Sequence, residues 1–195
     1  MQISVLDSKT QVDSFLNSNI SVPTQHPLWS ELINEYDKLV QYYYIVAHDS
    51  DEIKGVLPGF FIETKYGMIY NSLPYPGGYG GIVSNIESAY KNILKYLINE
   101  AKDRGCLSVS ISNNPWKDDY NYYKENLEPD YIFENFVNYV DLSKDLSYNK
   151  KVRWSIRKAD NSNIKFTDTP SLKEVKEFYN IWEDLMKSYK APHFN

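Results

Sequence analysis

The chain has 195 residues, 42% of them hydrophobic and 24% charged, and a net charge of −5 at pH 7. That suits one domain, or one domain and part of a second, and its acidity argues against a general nucleic-acid coat protein. A single cysteine excludes an intramolecular disulfide, and no apolar run is long enough to span a membrane. The N-terminus has neither a basic start nor an apolar signal core, so a cytoplasmic chain is expected.

In chain order, "QISVL" predicts a strand over residues 2–6. A helix follows over 8–19, with Ser8 as its cap and Val12, Phe15 and Leu16 at helical spacing. "HPLWSELINEY" predicts a second helix, with Pro27 in the first turn, where its missing N–H is harmless. Trp29 reads as core, with stacking on an acceptor as the other reading. "QYYYIVAH" and "IKGVLPGFFIET" predict a hairpin over 41–64, and Pro58 and Gly59 inside it suggest a bulge or an edge. "YGMIYNSL" is a third strand of this group.

The stretch "NSLPYPGGYGGIVSN" comes next. It leads into the strongest helical pattern in the chain, residues 85–105. There Ile86, Ala89, Tyr90, Ile93, Leu94, Leu97, Ile98 and Ala101 form one stripe, and Gly105 ends the helix. "CLSVSIS" predicts a strand with Cys106 as a buried, inert thiol. "PWKDDYNYYKENL" predicts a weaker helix, on which the adjacent Asp118 and Asp119 point apart. "YIFENFVNYVDLS" predicts a long alternating strand over 131–143. The order predicts an α/β sandwich with antiparallel central hairpins and one parallel crossover through the long helix.

After residue 143 the texture changes. Residues 143–165 carry seven Lys or Arg and two Asp. Within them a basic helix puts Lys150, Arg153 and Arg157 on one face, with Lys158 beside them. Tyr148, Val152, Ile156 and Ala159 lie on another face, expected to pack inward. "IKFTD" then predicts a strand, and residues 171–190 an amphipathic helix with Val175, Phe178, Trp182, Leu185 and Met186 on its apolar side. Strand then helix repeats the opening of the chain. A lone strand and helix cannot bury their apolar faces unaided, so the chain is expected to be a fragment or to complete itself with a partner.

Four patterns carry a resemblance. They are "HPLW" (26–29), "IKGVLPGFF" (53–61), "SLPYPGGYGG" (72–81) and "KKVRWSIRKADNSNIKF" (150–166). In this order they resemble the FemAB-like branch of the GNAT acyltransferases, which includes peptidoglycan bridge aminoacyltransferases and BioF2-like acetyltransferases. The resemblance implies a GNAT-like mixed sheet flanked by helices over 1–145, a linking helix over 146–162 and the start of a second GNAT-like unit over 163–195. It implies acyl transfer to an amine of a cell-envelope precursor, peptidoglycan or glycan. The donor would be an aminoacyl-tRNA or acyl-CoA. The protein would work in the cytoplasm or at the inner face of the membrane. A C-terminal GNAT-like domain or second chain would cover the last helix.

In GNAT folds the donor's pyrophosphate sits on backbone N–H groups between the fourth strand and the long helix, where Gly77, Gly78, Gly80 and Gly81 lie. Here no Arg or Gln precedes the glycines, and Pro74 and Pro76 lack N–H donors. Three readings stay open: a donor site, a tight loop closing the sheet, and an acceptor groove with Tyr75 and Tyr79 as contact surfaces. Lys150, Arg153, Arg157 and Lys158 would hold phosphate on an acceptor, or form a solvated face. No cofactor motif is clear, no catalytic base can be named, and the three scattered histidines suggest no metal site. A non-catalytic sugar- or peptide-binding module of the same fold is the alternative, and RNA binding by the basic helix is a third.

Overall fold

A computed structural model describes residues 1–5, 9–36, 40–72, 79–134, 136–138, 140–141, 143–144, 147–162, 165 and 167–191, with the side chains of Tyr36 and Gln41 excepted. The chain divides into two compact units, Met1–Val137 and Asn138–Asn195.

The first unit is a mixed sheet between helices. β1 (Gln2–Val5) precedes α1 (Lys9–Asn17), a 3-10 turn (Pro23–Gln25) and α2 (Pro27–Tyr36). β2 (Val40–Asp49), β3 (Glu52–Thr64) and β4 (Gly67–Asn71) form the central meander. β5 (Val83–Ser84) leads to α3 (Glu87–Asp103), then β6 (Ser108–Ser110) and α4 (Tyr120–Leu127). The order is β1-β2-β3-β4-β6 with β5 on β3; all pairs are antiparallel except β4 with β6. That parallel pair is the crossover expected through the long helix.

Alternation along the strands sorts the core. Ile45, Ala47, Leu57 and Phe61 face the stripe of α3, where Ala89, Ile93, Leu94 and Leu97 are buried. The intervening Tyr44, Val46 and Val56 pack on Val12 and Leu16 of α1, and Phe60 packs with Ile33 of α2. Each fully buried Leu or Ile contributes about 1.5–3 kcal/mol. Trp29 packs against this second face, as the core reading expects. α3 ends as its glycine predicts, with Gly105 at φ +65°.

The second side of β3 is shared. β4 pairs with residues 60–64 and β5 with Gly55 and Val56. Among the described residues none pairs with residues 57–59 on that side of β3. This corrects the reading of Pro58. β3 is central, its register with β2 runs regularly through Pro58 and Gly59, and the register shift lies at Ala47/His48. Proline is accommodated where β3 has no strand neighbour on that side among the described residues.

Other elements differ from expectation. β6 is only three residues long. Cys106 is half-buried rather than fully buried, and burial pushes its thiol upward. α4 starts at Tyr120 because Asn114 organises the preceding residues as a turn. Its Oδ1 accepts from Trp116 N at 2.9 Å, and its carbonyl from Lys117 N. The strand expected over 131–143 does not form among the described residues, and Phe136 is 97% exposed. A strand holds no internal hydrogen bonds and exists only by pairing, and none of these residues pairs with the short β6. Ser8, the expected first cap, lies outside the described residues.

The second unit holds α5 (Lys150–Asp160), capped by Asn149 accepting from Val152 N, and α6 (Leu172–Ser188), opened by a capping box of Ser171 and Glu174. Neither helix has a buried residue. The face of α5 expected to pack inward is instead open, with Tyr148, Val152 and Ile156 exposed. Amphipathic patterning specifies the helix, but among the described residues of this unit none buries its apolar side. Of the strand expected at "IKFTD", Ile164 and Phe166 lie outside the described residues, and Lys165, Thr167 and Asp168 are not in a strand.

Candidate functional site

The Gly- and Pro-rich segment between β4 and β5 is where composition pointed to function. Tyr75, Gly77 and Gly78 lie outside the described residues. Tyr79, Gly80 and Gly81 are described, and their backbone is tightly held. The 3-10 turn supplies two ties: Thr24 Oγ1 donates to Tyr79 O at 2.5 Å, and Gln25 Nε2 donates to Gly81 O at 2.9 Å. Gln25 is 1% exposed, and its Oε1 accepts from Val22 N at 3.0 Å. Replacing it with leucine would strand two buried backbone groups. Gln25→Leu is expected to destabilise the fold by about 2–3 kcal/mol in urea unfolding. A loss under about 0.5 kcal/mol would show that the loop is not held this way.

Glycine is required here by close approach. A Cβ on Gly80 would press on Ser72 O and Oγ at 3.1 Å. Gly81 has φ +86°, and its Cβ would meet Ser112 O and the Tyr123 hydroxyl at 3.0 Å. Ser72 joins the loop to the end of β6: its Oγ accepts from Ser112 N at 2.8 Å.

Side chains from α3, α4 and the turn before α4 then converge on Ile82. Its N–H donates to Tyr123 Oη at 2.7 Å, and its carbonyl accepts from Tyr90 Oη at 3.2 Å. Tyr90 Oη also lies 3.2 Å from Asp119 Oδ2. Asp119 is 9% exposed, and its Oδ1 is buried without a partner among the described residues. Burial raises its pKa to about 6, opposed by the Tyr90 hydrogen bond and the Lys117 charge. Burial also lowers the Lys117 ammonium, which donates to Ser84 O at 2.5 Å. Burial pushes both tyrosine hydroxyls well above their ordinary value, so they are neutral donors and acceptors.

The sequence signalled the loop but not its partners. Asp119 was visible only as half of an acidic pair beside Asp118, and Tyr90 only as part of an apolar stripe. Asp118 is exposed while Asp119 is buried, so the two do point apart, although they precede α4 rather than lie on it.

The basic residues lie in the second unit. Lys150, Arg153, Arg157 and Lys158 are all exposed on α5, and Lys158 Nζ stands 5.3 Å from the Trp154 ring centroid. Among the described residues Lys150, Arg153 and Arg157 form no ion pair. They can hold a multivalent anion, each arginine presenting a planar fork. Among the histidines, His26 is engaged by Asp13 and Ser21, and His48 by Ser50 O. No group of three His, Cys, Asp or Glu among the described residues could hold a metal ion.

The fold is of the GNAT type. No protein-family model and no curated protein matches the sequence. Among solved structures, FemX aligns with a TM-score of 0.51 at 15% identity, over 66% of this chain and 31% of the FemX chain. The ribosomal-protein-alanine N-acetyltransferase of Brucella melitensis biovar Abortus 2308 aligns at 0.49 and 13% identity, over 72% of this chain and all of its own. An aminoglycoside acetyltransferase from an uncultured soil metagenomic sample aligns at 0.49 and 15%, over 72% of this chain and 95% of its own. At such identities the likeness concerns the fold alone. No helix among the described residues is long and apolar enough to cross a membrane.

Proposed function

We propose that this chain is the N-terminal, acceptor-binding half of an N-acyl- or aminoacyltransferase of FemAB type, acting on an amine of a cell-envelope precursor. The observation that carries this reading is the occupied backbone beside the Gly–Pro loop of a GNAT-type sheet. Tyr123, Tyr90 and Gln25 already engage the N–H and C=O groups of residues 81 and 82. Glu87 in the first turn of α3 already complements the helix dipole, which disfavours a pyrophosphate there.

The donor, an aminoacyl-tRNA or acyl-CoA, then belongs to a C-terminal GNAT-like domain or a second chain, which would also cover α6. In the first unit Tyr79, Gly80 and Gly81 are the described candidates for contact with the acceptor; in the second, Lys150, Arg153, Arg157 and Lys158 are the candidates for holding phosphate. The acceptor amine attacks the acyl carbonyl, the donor's oxygen or sulfur leaves, and the amine's proton is released. Positioning and oxyanion stabilisation can supply most of the acceleration for such a transfer. The work would be done in the cytoplasm, against the inner face of the membrane.

The test uses the complete native protein, its mass first compared with 22.8 kDa by intact-mass spectrometry. Arg153→Ala and Arg157→Ala are each expected to lower kcat/KM for a phosphorylated acceptor at least about tenfold, the size of one charge-assisted contact. Wild-type kinetics in both would remove the phosphate role. A non-catalytic binding module is the second reading, favoured by the same occupied backbone. It would bind the precursor without turnover with either donor.

A further inference from the structure

A groove of about 690 Å³ opens between one flank of α1, the β2–β3 turn and the residues before α3. Its floor is apolar: Phe15 and Ile53 are half-buried and rest on the core beneath α1. Its walls carry hydrogen-bonding groups, with the carboxylates of Asp51 and Glu52 on the side of the β2–β3 turn. Gln11, Ser14 and Asn19 come from α1 and the residues following it, and Asn85 comes from the opposite side. Asn85 Nδ2 donates to Asn19 Oδ1 at 3.2 Å across the opening.

This flank is unusual for a surface helix, whose solvent face ordinarily carries Lys and Glu. The charges of α1 are used elsewhere, Lys9 on Glu31 and Asp13 on His26. Ser, Thr and Asn are weak helix formers, so their placement here contributes little to folding. Among the described lining residues the one cation, Lys54, is paired with Glu52. A phosphate or nucleic-acid strand would find no free counter-charge.

An apolar floor beneath convergent amides and hydroxyls, with the Asp51 carboxylate at the rim to accept from hydroxyls and no unpaired cation among the described lining residues, suits a ligand with C–H faces and many neutral hydroxyls. We infer that this groove binds a neutral oligosaccharide. The inference is independent of the transferase reading, since it uses none of the residues assigned to that reaction.

The test is a titration of the full ¹⁵N-labelled chain with chitotetraose, cellotetraose and maltotetraose, at concentrations that fill millimolar sites. At least one is expected to shift the amide signals of Gln11, Ser14, Asn19 and Asn85. Ser14→Trp fills the groove from an exposed helix position and is expected to abolish those shifts. Asn85→Ala is expected to weaken binding several-fold, with both spectra otherwise remaining native. No shift with any of the three sugars would overturn the inference. So would shifts centred elsewhere, or shifts unchanged in a folded Ser14→Trp variant.

Discussion

Gly59→Ala is expected to destabilise the first unit by at least about 3 kcal/mol, or to prevent its folding, although it adds one methyl group. Gly59 lies mid-strand in β3, and its φ is not in the left-handed region. The requirement is therefore for space. A Cβ there would overlap Tyr70 Oη and Cζ and lie 2.8 Å from Cε2. Tyr70 cannot swing away. It is fully buried, its ring stands edge-on to Phe61 at 5.0 Å, and β4 fixes its backbone against both β3 and β6. Its hydroxyl makes no hydrogen bond among the described residues, so that oxygen is present at a desolvation cost. Two companion results follow. Tyr70→Phe should be neutral or stabilising by about 1 kcal/mol, since it removes an unpaired buried hydroxyl. Tyr70→Leu should rescue part of the Gly59→Ala loss, giving a favourable coupling in a double-mutant cycle read by urea unfolding. Gly59→Ala within about 1 kcal/mol of wild type would show that the core yields at this point.

The fold was legible where each residue's neighbours lie within its own periodic pattern. The stripe of α3 marked its buried face, and the aromatic and β-branched run of β2 and the apolar run of β3 marked the central hairpin, because burying a helix face or a strand leaves a local signature. The strand at 131–143 showed alternation and did not form. Alternation encodes two faces but not a pairing edge, and β6 has only three residues. The site was legible only in outline. Its glycines announced a close approach of backbone, but Ser112 and Tyr123, which crowd Gly81, and Thr24 and Gln25, which tie the carbonyls of Tyr79 and Gly81 from 55 and 56 positions away, are remote in sequence. The burial of Asp119 had no local sign, since "KDDY" reads as the polar start of a weak helix. It arises from Tyr90, 29 positions away, which brings its hydroxyl to the carboxylate.

Asp119→Asn is the complementary case, a polar substitution expected to stabilise. The Tyr90 hydroxyl has one proton and two acceptors at 3.2 Å, Ile82 O and Asp119 Oδ2. While Asp119 is ionised it competes with the backbone for that proton. Once protonated it can donate to Tyr90 Oη, which then donates to Ile82 O, and both contacts are made. Burial makes the ionised carboxylate costly and outweighs the opposing Tyr90 hydrogen bond, so the folded protein binds this proton more tightly than the unfolded chain, with a pKa of about 6 against 3.8. The sign follows: the stabilisation linked to the proton is complete below about pH 4 and is lost as pH rises to about 6. Lys117 moderates the loss, and Asp118 adds to it. An asparagine supplies the missing donor at every pH. Asp119→Asn is therefore expected to match wild type near about pH 4 and to exceed it by about 1–2 kcal/mol near about pH 7.5, allowing for solvent screening. The Asp119 side chain makes no capping bond to α4, so the exchange removes none. The measurement is urea unfolding of both proteins across that range. Parallel stability curves would mean that Asp119 titrates normally and that Tyr90 is not shared.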